Sequence, residues 1–132
     1  MNSRETKEGR AIWRRRKCAH CGEVFSTYEL PSLDYLVVKK RSGKTTRYLS
    51  YKLFASIYDA LASGKRADRG DAAMSAHAVL EKIEGEILRS KKRNITTAEI
   101  INHATDELEA VNLGACYRYA AFSPHRGMKF GI

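Results

Sequence analysis

The chain has 132 residues, 43% of them hydrophobic, and a formal net charge of +9 with a pI near 9.6. That length bounds it to one domain, or one small domain with a half-sized module. No apolar run approaches membrane-spanning length and no signal-peptide pattern is present, so neither a membrane nor a secreted protein is expected.

The charge is lopsided. Residues 1–52 carry 13 Lys+Arg against 5 Asp+Glu, and residues 53–132 carry 11 against 10. A concentrated basic segment is the footprint of a phosphate-rich partner. Three cysteines, two of them in a CxxC, do not form a secreted disulfide framework and point to a reducing cytoplasm.

In chain order, residues 1–9 are polar and read as a loop. Residues 10–17, RAIWRRRK, read as a strand with an arginine-rich face. Cys18-Ala19-His20-Cys21-Gly22 follows, then EVFSTY as a second strand. Strand, CxxC-Gly knuckle and strand make half of a zinc ribbon. Structural zinc takes four ligands. Cys116, His77 and His103 all fall in predicted helices, and His20 lies inside the knuckle. The CxxC alone therefore leaves three readings open: metal, a redox pair, or a metal site shared in a dimer.

Residues 31–35 read as a linker. Residues 36–52, LVVKKRSGKTTRYLSYK, open as a hairpin turning at Ser42-Gly43; a glycine there accepts the positive φ of a tight turn. A helix over 51–62 follows, with Ser50 as its N-cap and Leu53, Phe54, Ile57 and Leu61 on one stripe. A cationic hairpin feeding a helix N-terminus suits a polyanion, and it also suits a solvated edge guarded by lysines. Gly43-Lys44-Thr45 is not a P-loop, because Val38 stands where that motif needs glycine.

Residues 63–71 read as a loop. A second helix is expected over 72–90, with Val79, Leu80, Ile83 and Ile87 inward. Thr96-Thr97-Ala98-Glu99 is a capping box opening a third helix, with Ile100, Ile101, Ala104, Leu108 and Val111 inward. Asn112 is placed to cap a fourth, over 113–122, and 123–132 reads as a tail. The Lys91-Lys92-Arg93 triplet suits the C-terminal dipole of the second helix. No nucleophile or acid–base constellation stands out, so no enzyme is expected. The fold class is α+β.

Several segments together resemble the NrdR family, bacterial transcriptional repressors of ribonucleotide reductase genes. Asn2-Ser3-Arg4, Gly9, Ile12 to Cys21 and Phe25-Ser26-Thr27-Tyr28-Glu29 resemble the second half of its zinc ribbon. Val37-Val38-Lys39-Lys40 with Tyr48 and Lys52 is similar to the opening of its ATP-cone, and Arg118-Tyr119-Ala120-Ala121 to the closing helix. The resemblance implies a DNA-binding ribbon over 1–30, a linker over 31–35, a cone binding ATP or dATP over 36–122, and a homo-oligomer that nucleotide controls. It implies zinc on Cys18 and Cys21. It implies double-stranded DNA against Ser3, Arg4, Arg10, Arg14, Arg15 and Arg16. It implies an adenine nucleotide against Val38, Lys39, Lys40, Tyr48, Lys52 and Tyr117; strand alternation sets Val38 on the face of Lys40, which places Val38 beneath the base or sugar and lets Lys40 and Lys52 flank one triphosphate.

The chain departs from the family in places. The first CxxC is absent from the sequence as given, so the zinc site is expected to be incomplete; an upstream in-frame CxxC restores it. Trp13 lies beside the arginine run. Thr46 and Arg47 replace an acid and a proline, and Cys116 stands where a tyrosine is expected, with Tyr117 after it. Two other functions stay open: a nucleotide-sensing cone without DNA binding of its own, and a thiol redox protein using the CxxC.

Overall fold

The structure, a computed structural model, describes residues 3–5 and 12–122. Two compact units divide the chain, Met1–Ser32 and Leu33–Ile132. The architecture is α+β, with strands first and four helices later.

The first unit is an antiparallel sheet in the order β1-β2-β3: β1 Ser3–Glu5, β2 Ile12–Lys17 and β3 Val24–Glu29. The expected loop over 1–9 is corrected at Ser3–Glu5, which pairs with β2, Ser3 facing Arg14 in register. Strand β2 offers the ladder β-branched and aromatic residues at Ile12 and Trp13. The knuckle between β2 and β3 closes through Gly22 N–H to the Cys18 carbonyl, 2.9 Å, and Cys18 N–H to the Glu23 carbonyl, 2.8 Å. Gly22 takes a φ of +77°, where a Cβ would be strained. No side chain of β2 or β3 is fully buried.

The second unit has a sheet of order β5-β4-β6, with β4 Val37–Lys39, β5 Thr45–Arg47 and β6 Asn94–Thr96. Strands β4 and β5 form the expected hairpin, with Gly43 at φ +93°. Strand β6 lies parallel to β4, pairing Val38 with Ile95. Three residues are too few to show a period of two, so the sequence predicts no strand at Asn94–Thr96.

Four helices complete the unit: α1 Ser50–Ala62, α2 Arg69–Ser90, α3 Thr97–Val111 and α4 Leu113–Phe122. Their apolar stripes close over Leu36, Ile57, Val79, Ile83, Ile87 and Leu108, all fully buried. The capping box forms, Glu99 N–H donating to Thr96 Oγ1 at 3.1 Å and Thr96 N–H to Glu99 Oε1 at 3.0 Å. Asn112 Oδ1 accepts from Ala115 N–H at 3.0 Å, as expected of a cap.

Three expectations are corrected. Ser50 is already helical; Leu49 holds the N-cap position without a side-chain bond. Helix α2 begins at Arg69 because Asp68 caps it, accepting from Asp71 N–H at 2.9 Å. Val111 is 49% exposed, since α3 ends there and the chain turns away at Asn112. The expected tail over 123–132 lies outside the described residues.

Candidate functional site

Cys18 and Cys21 sit at the tip of the knuckle, Cys18 half-buried and Cys21 exposed, both as free thiols. The Cys21 amide, then the His20 amide, then the Cys21 side chain direct hydrogen bonds at the Cys18 sulfur and hold its thiol below the ordinary value. Donors aimed at sulfur favour the thiolate, the form that binds metal. The pair thus fits two of the four positions of a zinc site. Among the described residues no third His, Cys, Asp or Glu gathers with them. Cys116 belongs to the core of the other unit; its Sγ donates to the Thr105 carbonyl at 3.4 Å, and burial, then Glu109 and Asp106, raise its pKa.

The arginine run is split by strand alternation. Residues directly opposite in an antiparallel pair share a face, so Ile12, Arg14 and Arg16 lie with Glu29, Thr27 and Phe25. Trp13, Arg15 and Lys17 lie with Tyr28, Ser26 and Val24 on the other. The expected single arginine-rich face is therefore corrected to two. On the first, Arg14 Nε donates to Glu29 Oε1. Arg16 reaches the same oxygen at 3.3 Å and Thr27 Oγ1 at 3.1 Å. The Arg14 bond is the main cause that lowers the Glu29 pKa. On the second, Arg15 donates to Ser26 Oγ at 3.1 Å. For Ser3 and Arg4 the structure gives the backbone register only, and Arg10 lies outside the described residues.

At the hairpin, Lys39, Lys40 and Lys52 are exposed, and Tyr117 on α4 is 66% exposed. Val38 is only 9% exposed and packs in the core. Its neighbour Lys39 points the other way, and Lys40 is already in the turn, bonded to the Lys44 carbonyl at 2.8 Å. Val38 thus offers a ligand little surface of its own. Tyr48 is buried too, and donates its hydroxyl to Glu84 Oε2 at 2.6 Å; burial first, then Glu84, raise its pKa. The chain leaves the sheet at the Leu36 end, where Tyr48 N–H meets the Leu36 carbonyl. The chain thus enters α1, and reaches Lys52, from the end of the hairpin opposite the turn that holds Lys40.

Sequence reasoning missed Glu84, which also accepts from the Ser50 hydroxyl. One carboxylate on α2 therefore ties down the end of β5 and the start of α1. It stands among solvated helix carboxylates in sequence, so no local signal marks it. Lys92 and Arg93 of the basic triplet have partners within the unit, Glu99 at 2.8 Å and the Tyr35 ring at 5.2 Å. A 180 Å³ cavity between α1, α2 and α3 is lined by Asp68 and Asp71 and by none of the hairpin lysines. Its size and charge do not suit a nucleotide.

The family model for the N-terminal domain of NrdR-like transcriptional repressors, a zinc ribbon, matches residues 1–29. Curated proteins named transcriptional repressor NrdR are similar over most of the chain. That of Herminiimonas arsenicoxydans is 31% identical over 121 residues, 92% of this chain and 74% of its own length. The proteins of Burkholderia cenocepacia (strain HI2424) and Burkholderia mallei (strain SAVP1) are 31% and 32% identical, each over 92% of this chain and 73% of their own.

Proposed function

The chain belongs to the NrdR family of transcriptional repressors, and on that premise we propose that it is a nucleotide-responsive repressor of ribonucleotide reductase genes, without catalysis of its own. Residues 1–30 form the DNA-binding ribbon, 31–35 the linker and 36–122 the cone that senses ATP or dATP. The protein works in the cytoplasm as a homo-oligomer whose state follows the nucleotide. No helix among the described residues is long and apolar enough to cross a membrane.

The observation that carries this reading is strand β2, where Arg14, Arg15, Arg16 and Lys17 stand in succession in the segment matched to the ribbon. Such a strand meets phosphates along a duplex, which gives affinity and register without reading bases. Ser3, Arg4 and Arg10 adjoin it in sequence and extend the same basic segment. Cys18 and Cys21 would hold zinc as two of its four ligands. The ion would supply a cross-link that fixes the knuckle, with the Cys21 and His20 amides steadying the Cys18 thiolate.

In the cone, the exposed lysines carry the nucleotide reading, with Tyr117 as an exposed ring on α4. Lys39 or Lys40 at one end of the hairpin and Lys52 at the other are spaced for an extended polyanion rather than a single phosphate. Val38 and Tyr48 support the hairpin from below.

The test is a titration of the full chain with a duplex carrying a ribonucleotide reductase promoter, at rising salt, with ATP, with dATP and with neither. Affinity is expected to fall linearly in log–log form with salt. Each nucleotide is expected to change both the particle size and the affinity. Size and affinity that ignore both nucleotides would remove the sensing role and leave a plain DNA-binding protein.

A further inference from the structure

The two faces of the β2–β3 ladder are not equivalent in charge. On the face of Arg14 and Arg16, Glu29 accepts from both guanidinium groups, and the Glu29 pKa is lowered accordingly. Arg14 is half-buried there. The opposite face holds Arg15 and Lys17 with Ser26, Val24, Trp13 and Tyr28, and no acid among the described residues of β2 and β3. Arg15 spends one donor on Ser26 Oγ, leaving most of the five N–H donors of its guanidinium for another acceptor. Lys17 makes no ion pair among the described residues, and Tyr28 is 65% exposed.

We infer that the Arg15–Lys17 face is the side of the ribbon that meets the phosphates of duplex DNA, and that Arg14 and Arg16 are positioning residues that hold β3 to β2 through Glu29. The inference rests on the DNA reading above and assigns Lys17 a contact that the resemblance does not supply. Three arguments support it. A guanidinium paired with a carboxylate has part of its charge offset, so it draws a phosphate less than one with no acid beside it. The Glu29 carboxylate on that face repels a polyanion, whereas the other face carries two cations and, among the described residues of β2 and β3, no carboxylate. Lysine and arginine two residues apart on one strand stand about 6.6 Å apart along it, close to the roughly 7 Å between successive phosphates of one strand, so neighbouring phosphates can be served in turn. Tyr28, facing Trp13 across the ladder, is placed to pack against sugar beside them.

The test compares salt slopes of binding to a mixed-sequence duplex for the full chain. Arg15→Gln with Lys17→Gln should lower the slope of log K against log salt by about 0.9 for each lost contact, about 1.8 for the pair. Arg15→Lys with Lys17→Arg should restore it. Glu29→Gln keeps every arginine and releases two of them, and is expected to leave the slope unchanged. Arg14→Gln with Arg16→Gln removes the cations themselves and is likewise expected to leave the slope unchanged; should that pair fail to fold, Glu29→Gln still tells whether the freed arginines reach the duplex. A rise in slope on Glu29→Gln, or equal losses from both arginine faces, overturns the assignment while leaving DNA binding intact. Tighter binding to the unpaired strand, lost in Tyr28→Ala, overturns it in favour of a stacking platform. A wild type that binds no duplex removes the DNA reading and this inference together.

Discussion

The two units of this chain are held by different forces. The second unit encloses a core in which Ile57, Ile83, Ala104 and Leu108 are closed to solvent. In the first, every side chain described in β2 and β3 retains some exposure, and cohesion comes from the ladder, the Arg14–Glu29–Arg16 bridge and the knuckle. A sheet of that size has little apolar surface to remove from water, and small units without a core rely on a metal or a partner. One half of the molecule therefore carries its stability within a core, while the described strands of the other enclose none.

The sharpest way to break this contrast is Leu108→Ala. The side chain is fully buried between α3 and its neighbours, and loss of such a leucine costs roughly 2–5 kcal/mol. Denaturant unfolding of the second unit should move by that amount, and amide exchange in β2 and β3 should not change. Equal loosening of both units would show a common core.

A smaller effect is expected at Lys52, which is exposed in the first turn of α1. Lys52→Ala should weaken ATP and dATP binding by roughly 1.5–3 kcal/mol, the range for hydrogen bonds to charged groups, and leave the melting of the free protein in place. Lys39→Ala and Lys40→Ala, measured by calorimetry alongside it, tell which lysine at the turn faces the ligand. Unchanged affinity in all three would detach the hairpin from nucleotide binding.

The smallest concerns the capping box. Thr96→Ala should cost about 1 kcal/mol. Its partner Glu99 has a lowered pKa, through Lys92 first and the Thr96 amide next. A carboxylate held low stabilises the fold above its ordinary pKa near 4.5. That contribution is lost as the pH falls through the lowered value. The wild type should therefore lose stability below about pH 4.5 by a term that Glu99→Gln no longer shows. Parallel acid titrations of the two proteins check it; identical acid limbs would leave the cap without a charge component.

Much of the fold was legible because its signals are local. The stripe Leu53, Ile57, Leu61, the capping box at Thr96 and Glu99, and the turn at Gly43 each announce themselves within a few residues. What escaped was set by distant contacts. Ser50 has the chemistry of a cap, yet Glu84 on α2 takes its hydroxyl and Leu49 precedes the helix. Asp68 was hidden in a charged loop, and β6 is too short to carry a pattern. At the site, strand alternation made the face of each arginine readable in principle. The pairing of Arg14 and Arg16 with Glu29 needed the register of β3. Val38 looked like a ligand contact by resemblance, and only Ile95 beside it in β6 shows that it belongs to the core.

The parallel pairing of β4 with β6 also sets an order of assembly. When a ribosome has released the hairpin, the outer edge of β4 is still unpaired, and its partner lies some fifty residues further along the message, beyond both α1 and α2. Contacts so far apart in sequence form slowly, and an open strand edge invites pairing with other chains in the interval. Lys39, Lys40, Arg41 and Lys44 crowd that waiting hairpin with like charge. Like charge on an edge disfavours its pairing with another copy, so these cations oppose that pairing until Asn94–Thr96 closes the sheet.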